Sequence, residues 1–569
     1  MPVRPADLTY GVDDLPPWPR LLFLGGQHAA LMSVYLVLIV IVFRHAGADH
    51  ATIANALSLG MIGLAVATVL QALWRGPVGS GYLAAPVFSA MYLGPCLLAA
   101  KVGGLPAVFG MTVFAGLVEA ALALSVTRLR SLFPPAVSGF IVLVVGIELG
   151  LIGVRDLLAV DQRQQPDFAA SLAVAWFTLA VMVGLSVWGG GFVRLLCSTL
   201  GLIVGIAAAA WAGLIPASEW AEFGSGPLLA LPRLDFLSFA FVPELIPGFA
   251  IAACAGMLRT VGVITTCQKI NDADWKRPDL ASIRGGVVAD GLGCAVCGLV
   301  GSIGVSTAPS LVGVSHASGA TSRYIAFACA AILLVAALVP AYARFFVLLP
   351  QPVLGAAVTF TASLVIASGL QIIMSRNLDM RTTFVVGIAL LVAIGRGVFP
   401  DYFSTLPPLL RSAAGSMLTV GAVTALLLNL VFRIGATRRI VVEFEAAAGS
   451  LEQFAQSLRE RAKGWAVSAE LVERAIASSR ALIGQIEDAR LIRGRSRASV
   501  ACNETSLTVT VEYEGEPVTL PGVRAHSGFL LRRLAFSHSL AEVLGGVHAD
   551  RMAGRVHGKD VMIELIFDA

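Results

Sequence analysis

The chain has 569 residues, of which 57% are hydrophobic and only 13% are charged, and its formal net charge is +4. Soluble domains carry about 25% charged residues, so this composition excludes an ordinary soluble protein. The small positive charge is spread through loops and indicates no nucleic-acid partner. The eight cysteines lie mostly within apolar runs, and we interpret them as small packing residues rather than disulfides.

Many stretches of the chain are long and apolar enough to cross a bilayer, which takes roughly 20 residues. They are 18–43, 51–73, 104–126, 135–153, 168–188, 195–214, 245–267, 323–342, 352–373, 381–399 and 413–432. Three more segments, at 81–100, 285–304 and 307–319, are shorter or rich in small residues. Together they predict fourteen transmembrane segments, the third and tenth being 81–100 and 307–319.

Two of these segments carry Pro, Gly and Ser where a lipid-facing helix carries Leu, around residues 86–100 and 308–319. Irregular backbone survives at membrane depth only where protein buries it or where it lines a cavity. A pair of interrupted segments, one in each half, points to the solute site of a transporter built from inverted repeats. We therefore predict an all-α polytopic protein of two inverted seven-helix repeats, in which segments 3 and 10 are broken.

Loop charges and the end of the chain set the predicted orientation and domains. The loops placed inside carry about twice as many Lys and Arg residues as the outside loops, which predicts a multi-pass protein of the cytoplasmic (inner) membrane with both termini in the cytoplasm. After residue 440 the chain becomes charged and partly alternating, as in "TSLTVTVEYEGEPV" at 505–518, which is typical of a soluble α+β domain. We predict a transmembrane domain at 1–440 and a cytoplasmic α+β domain at 441–569.

Four stretches resemble the nucleobase–ascorbate transporter family, which includes xanthine and uracil permeases. They are "LTYGVDDLPPWPRLLFLGGQH" at the start, "GSGYLAAPVFSAMYLGP" in segment three, "FPPAVSGFIVLVVGIELG" in segment five, and "KINDADWKRPDLASIRGGVVADGLG" leading into segment nine. The resemblance covers residues 8–433 and implies core and gate domains with a site between segments three and ten. It also implies a secondary transporter of a nucleobase-like solute such as xanthine, urate or uracil, commonly coupled to H⁺ or Na⁺. We expect a homodimer in the bilayer.

The resemblance breaks where the nucleobase would bind. In the family, the middle of segment eight reads like Glu-Thr-Ile-Gly-Asp, whereas here the aligned residues are Arg-Thr-Val-Gly-Val, beginning at Arg259. In segment ten, the family's amide or acid and its asparagine have become Ser310 and Leu311. A guanidinium offers five donors and no acceptor, so it suits carbonyl oxygens or an anion. We therefore expect a preference for an anionic or oxo-rich solute.

The predicted site combines Arg259 with polar or flexible positions on segments one, three and ten. The solute-binding set is Arg259, Ser310, Gly313, His316, Phe88, Ser89 and His28, and the coupling or structural set is Asp290 and Gln27. Arg259 either faces the solute cavity or pairs with Asp290 and locks two helices. His28 either handles protons or solute, or bonds a backbone carbonyl. Glu119 and Glu148, inside segments four and five, are better explained by helix contacts than by chemistry.

Enzyme chemistry is not predicted, because the sequence has no nucleophile–base arrangement, phosphate loop or metal motif, and we expect no cofactor or metal. The C-terminal region resembles the GHKL ATPase fold of anti-sigma-factor kinases, but its helix "ERAIASSRALI" lacks the magnesium-binding asparagine, and the sequence from Tyr513 to Pro517 departs from the nucleotide loop. We predict a degenerate regulatory or interaction domain. Two alternatives stay open: a solute receptor signalling through this domain, and an uncoupled organic-anion transporter.

Overall fold

The computed structural model describes most of the chain. The described residues are 4–125, 134–160, 166–216, 220, 227–275, 278–374, 379–407, 414–432, 438–444, 448–462, 469–488, 492–502, 506–515, 549, 551–557 and 560–568. They divide into a membrane unit that takes most of residues 1–426 and a second unit that takes 427–569 with two short pieces, 134–136 and 374–385.

The first half of the membrane unit contains helices interrupted by one short strand. They are α1 (Trp18–Ser33), α2 (Val37–His45), α3 (His50–Ala72), β1 (Pro86–Phe88), α4 (Leu93–Leu122), α5 (Pro135–Leu157), α6 (Phe168–Trp188), α7 (Gly191–Leu195) and α8 (Cys197–Trp211). Helix α4 is kinked at Gly103 and Gly104, and Gly104 has φ +66°, which favours glycine. This kink divides predicted segment three from segment four.

The second half repeats the pattern of helices around a short strand. Its elements are α9 (Ile246–Asn271), α10 (Leu280–Leu299), β2 (Val305–Thr307), α11 (Pro309–Ala317), α12 (Tyr324–Ala337), α13 (Pro340–Val347), α14 (Gln351–Met374), α15 (Met380–Val398), α16 (Pro400–Ser404) and α17 (Met417–Phe432). Each predicted transmembrane segment overlaps one of these elements. The all-α polytopic architecture with broken third and tenth segments is confirmed.

The number of helices that can span a membrane depends on how the broken segments are counted. Within the described residues, nine helices are long and apolar enough, or ten if the bent pair α12 and α13 is one span. Two shorter apolar helices are α8 and α17. The prediction of fourteen is higher by four or five. Segments three and four run together in kinked α4, and segment ten contains only the nine-residue helix α11. Segments seven and fourteen form the shorter helices α8 and α17, and segment eleven is the bent pair α12 and α13.

The two broken segments meet in an antiparallel pair of strands at the centre of the membrane unit. Pro86 pairs with Thr307, Val87 with Ser306 and Phe88 with Val305, and all residues of both strands are buried. Pairing satisfies backbone N–H and C=O groups that would be costly to leave unbonded in hydrocarbon. This pairing explains how non-helical backbone persists in both segments.

The C-terminal unit contains a five-stranded antiparallel sheet of order β3-β4-β5-β7-β6. Its elements are β3 (Arg438–Phe444), α18 (Ala448–Ala462), α19 (Ala469–Asp488), β4 (Ile492–Cys502), β5 (Ser506–Gly515), β6 (Arg551–His557) and β7 (Asp560–Asp568). Alternate residues of β5 and β7, such as Val509 and Leu565, are buried with Leu458 and Ile476 of the two helices. The α+β character agrees with the pattern expected there; residues 516–548, which include the end of the expected nucleotide loop, lie outside the described residues.

Candidate solute site

Arg259 lies in the middle of α9, where the sequence places a charge within an apolar run. The residue is half-buried, and its Nη1 donates a hydrogen bond to Ser89 Oγ at 3.4 Å. Ser89 directly follows β1, and its N–H donates to the carbonyl of Gly304 at 3.0 Å. The predicted residues Arg259 and Ser89 therefore meet, linking segment eight to broken segment three. Among the residues that the structure describes, no ion pair joins Arg259 to Asp290.

Open faces lie on α9 and α11, two helices in contact with each other. On α9, Gly262 is exposed one turn after Arg259, and a Cβ added there would meet nothing within 4 Å. On α11, Ser310, Gly313 and His316 are exposed at helical spacing, and a Cβ added at Gly313 would also meet open space. Three predicted site residues therefore share one accessible helix face.

His28 joins α1 to the buried side of α11. It is fully buried, with Nδ1 2.9 Å from the carbonyl of Leu24 and Nε2 3.0 Å from Ser315 Oγ. Because a carbonyl only accepts, Nδ1 carries a proton. The Ser315 hydroxyl beside Nε2 also donates to the carbonyl of Leu311 at 3.0 Å. The contact with Leu24 is the backbone-carbonyl contact of the second His28 alternative, and a role of His28 in handling protons or solute stays a prediction. Ser315 itself was missed by the sequence reasoning.

Two other predicted residues lie away from the open faces. Phe88 is fully buried in the hydrophobic core, where its ring lies against Gly60 of α3. Gln27 is 5% exposed on α1. In this conformation, the structure does not bring either side chain to the face that carries Ser310 and Gly313.

Asp290 of α10 takes part in a buried hydrogen-bond network beside Arg259. Its Oδ2 accepts from Thr260 Oγ1 at 2.5 Å, and Thr260 Oγ1 lies 2.9 Å from Thr307 Oγ1 on β2. Thr260 and Thr307 were not predicted as site residues, although Thr260 adjoins Arg259 in the sequence. Through these hydroxyls, Asp290 contacts both segment eight and broken segment ten.

These features define the class of protein. A polytopic helical unit with two interrupted segments paired at its centre, next to a charged side chain and open helix faces, is the architecture of a secondary transporter. Residues 19–401 match the model of the Permease family. The chain belongs to this family.

Curated relatives cover most of the membrane unit. Xanthine permease XanP of Escherichia coli K12 is 26% identical over 441 residues, which is 75% of this chain and 95% of XanP. Nucleobase transporter PlUacP of Paenibacillus larvae is 26% identical over 428 residues, which is 73% of this chain and 95% of PlUacP. These matches confirm the family resemblance and the prediction of a multi-pass membrane transporter of a small molecule rather than an enzyme.

A solved structure supports the fold independently. The structure of SLC26A9 has a TM-score of 0.50 and 11% sequence identity, and the match covers 75% of this chain and 67% of that chain. At this identity the likeness concerns the fold alone. It agrees with the predicted architecture of two inverted seven-segment repeats.

Proposed function

We propose that the protein carries an anionic or carbonyl-rich nucleobase-like solute, such as urate or the xanthine anion, across the cytoplasmic membrane. The observation that carries this proposal is Arg259, a half-buried arginine on α9 beside the open faces of α9 and α11. The names of the relatives XanP and PlUacP support the nucleobase class.

The hydrogen bonding of Arg259 favours an acceptor-rich solute. Within the described part of the chain, its guanidinium makes a single protein hydrogen bond, to Ser89 at 3.4 Å. Four of its five N–H donors therefore remain for a ligand. A charge at this depth costs a few kcal/mol unless something compensates it, and two carbonyl oxygens or an anion would do so in bidentate geometry.

The half-helix α11 adds a second attraction of the same sign. Its N-terminus lies at Pro309, and Ser310 is exposed in the first turn. The positive end of a helix dipole favours anionic groups, and transporters use half-helix ends in this way. We propose that Ser310, Gly313 and His316 line the solute, that Phe88 and His28 shape the site from behind, and that Asp290 and Gln27 couple or support it.

The proposal includes the assembly of the protein and its orientation in the membrane. We infer that both termini lie in the cytoplasm, on the basis of the excess of Lys and Arg in the inside loops. We also propose that the protein forms a homodimer. Residues 441–569 then form a cytoplasmic regulatory domain. A reporter fused after residue 440 should be active only in the cytoplasm, and periplasmic activity would contradict this orientation.

A second candidate function is a solute receptor that signals through the C-terminal domain. It is favoured by the separately packed core of that domain, built from α18, α19 and the sheet. Deleting residues 441–569 and measuring uptake separates the two functions. A transporter with a regulatory tail keeps substantial uptake, whereas a receptor shows none with or without the tail.

The proposed solute class is tested by thermal-shift measurements on the full-length protein. The panel contains urate, xanthine at neutral and alkaline pH, uracil, and small dicarboxylates. We expect urate and the xanthine anion to raise the melting temperature most, because they present carbonyl oxygens and a negative charge to Arg259. Stabilisation by uracil alone would contradict the anion preference, and stabilisation by dicarboxylates alone would contradict the nucleobase class.

A further inference from the structure

Two buried carboxyl groups lie side by side behind the proposed site. Glu119 of α4 and Asp290 of α10 are 0% and 1% exposed. They lie at adjoining positions of the two helices, because a Cβ at Gly291, which follows Asp290, would lie 2.5 Å from the backbone nitrogen of Ala120, which follows Glu119. The two helices touch backbone to backbone at this level, because a Cβ at Gly116 or Gly291 would collide with the main chain of the opposite helix. A close contact between the two helices therefore holds the residues that carry the carboxyls next to each other.

Each carboxyl has one oxygen with a protein donor and one without. Glu119 Oε2 accepts from the hydroxyl of Tyr92 at 3.2 Å, and Asp290 Oδ2 accepts from Thr260. Among the described residues, Glu119 Oε1 and Asp290 Oδ1 are buried and make no hydrogen bond, and the neighbouring buried hydroxyl of Ser306 on β2 makes none either. Two ionised carboxylates cannot share such a site. A proton held between the two remaining oxygens satisfies both of them and removes the like-charge repulsion.

Within the part of the chain that the structure describes, the groups that face this pair include one permanent charge. The titratable and charged side chains around it are Tyr92, Cys254, Cys294, Cys297 and Arg259. Phenol and thiol groups are neutral near pH 7, so Arg259 alone balances the pair. Because Thr260 directly follows Arg259 and donates to Asp290, the guanidinium and the pair are neighbours on the same stretch of α9.

We propose that Glu119 and Asp290 form a proton-binding site that takes up a second proton when an anion occupies Arg259. Without solute, the pair keeps one proton and its remaining negative charge balances the guanidinium. When an anion binds Arg259, the pair loses that counter-charge and becomes neutral by binding a proton from water. The total charge of the buried site is then the same with and without solute, so anion and proton bind together. This inference rests on the proposed anion site.

Hydrogen bonds connect the pair to both broken segments of the site. Tyr92, which donates to Glu119, lies three residues after Ser89 of broken segment three, where Arg259 binds. Thr260, which donates to Asp290, contacts Thr307 of broken segment ten. A solute that shifts Arg259 or either segment therefore acts on the donors of the pair.

The test measures proton uptake by the full-length protein in weakly buffered detergent solution at neutral pH, with urate as the probe. We expect about one proton per bound urate in the wild type and none in the double variant Glu119→Gln/Asp290→Asn, which is neutral at every pH. As the pH rises, the affinity of the wild type for urate should fall about tenfold per pH unit, because each urate that binds then takes up a proton from a less acidic solution. The double variant should bind urate independently of pH.

The matched control is Glu148→Gln, which changes another buried carboxyl, one that accepts from the N–H of Leu418. This variant should keep the proton uptake on urate binding.

The outcomes separate this inference from the proposed function. Urate binding without proton uptake in the wild type overturns the inference and leaves the anion site standing, as does undiminished uptake in the double variant. Absence of urate binding contradicts the proposed function instead. In that case, or if the double variant does not fold, infrared spectra of the unliganded wild type and of Glu119→Gln decide whether the pair holds a proton. A deuterium-sensitive protonated-carboxyl band that Glu119→Gln removes supports the shared proton, and an unchanged band overturns it.

Discussion

The two broken segments have the same architecture but are covered to different degrees. Each has a short strand followed by a helix, and the strands pair with each other. From Met91 to Ala100, no residue of segment three is exposed, and Gly94 faces the carboxyl of Glu148 on α5. In segment ten, Gly313 faces open space. The accessible part of the site is therefore asymmetric and lies on the side of segment ten, even though the backbone pattern is repeated.

This difference indicates that the repeat sets the backbone, whereas individual side chains decide which half has an open face, where we propose that the solute binds. Segment three contributes Ser89, which holds Arg259, and Tyr92, which binds Glu119. Segment ten contributes the exposed face around Gly313. The predictions below test this division of roles, beginning with the largest expected effect.

Filling the open face of segment ten should abolish solute binding. A Cβ at Gly313 meets nothing within 4 Å, so Gly313→Phe has room to fold and its ring occupies the space proposed for the solute. We expect urate affinity to fall beyond measurement with little change in melting temperature. Urate affinity equal to that of the wild type would place the cavity elsewhere.

The contrasting variant is Gly116→Val, within the helix contact behind the site. Its side chain would collide with the backbone of Ala295, and such overpacking costs about 1–3 kcal/mol. We therefore expect a lower melting temperature for Gly116→Val. If both variants lose stability equally, α11 is not open in the membrane and the asymmetry between the segments is wrong.

Reversing the charge of Arg259 should reverse the solute preference. A buried hydrogen bond to a charged group contributes about 1.5–3 kcal/mol, so Arg259→Glu should weaken urate binding by roughly ten- to a hundredfold. The new carboxylate accepts ring N–H groups and should improve binding of uracil or neutral xanthine. Arg259→Lys keeps the charge but loses the fork geometry, and should have an intermediate effect.

The control for Arg259 is Arg75→Glu, an equal charge reversal at an exposed loop position. It should leave the affinities for urate and uracil unchanged. If Arg259→Glu instead lowers the melting temperature and Asp290→Arg restores it, Arg259 acts as a helix lock in another conformation of the cycle. An Arg259→Glu protein with normal stability and normal urate affinity would contradict both roles.

Much of the architecture could be predicted from the sequence because each signal is local. Pro, Gly and Ser inside apolar runs marked the broken segments, and a single guanidinium marked the centre of α9. Partners distant in the chain could not be predicted in this way. His28 and Ser315 are 287 positions apart, and Glu119 gave no local sign that it meets Asp290. Phe88 stands next to Ser89 in the sequence, but strand alternation turns its side chain into the core.

Removing the hydroxyl of Ser315 should test how α1 supports segment ten. Ser315→Ala leaves the buried Nε2 of His28 without its partner, which costs about 1–3 kcal/mol. We expect a lower melting temperature and a several-fold loss of urate affinity, since α11 is less firmly placed. Ser318→Ala is the matched control, because Ser318 bonds only a carbonyl within the same turn. Equal effects of the two variants would show that the contact with His28 does not position α11.

The smallest effect is expected at Asp49, which caps α3 outside the membrane-spanning part of the chain. Its carboxylate accepts the N–H of Thr52 at 3.2 Å, and hydrogen bonding to Thr52 lowers the pKa of Asp49 below its ordinary value. A lowered folded-state pKa means that the cap stabilises the protein above the ordinary carboxyl pKa and that this stability is lost as the pH falls through the folded-state value. Asp49→Ala should cost about 1 kcal/mol at neutral pH, seen as a lower melting temperature that converges with the wild type in acid. Because α3 lies behind β1 and away from α11, urate affinity should not change; a loss of affinity would mean that the covered segment three also sets the geometry of the open face.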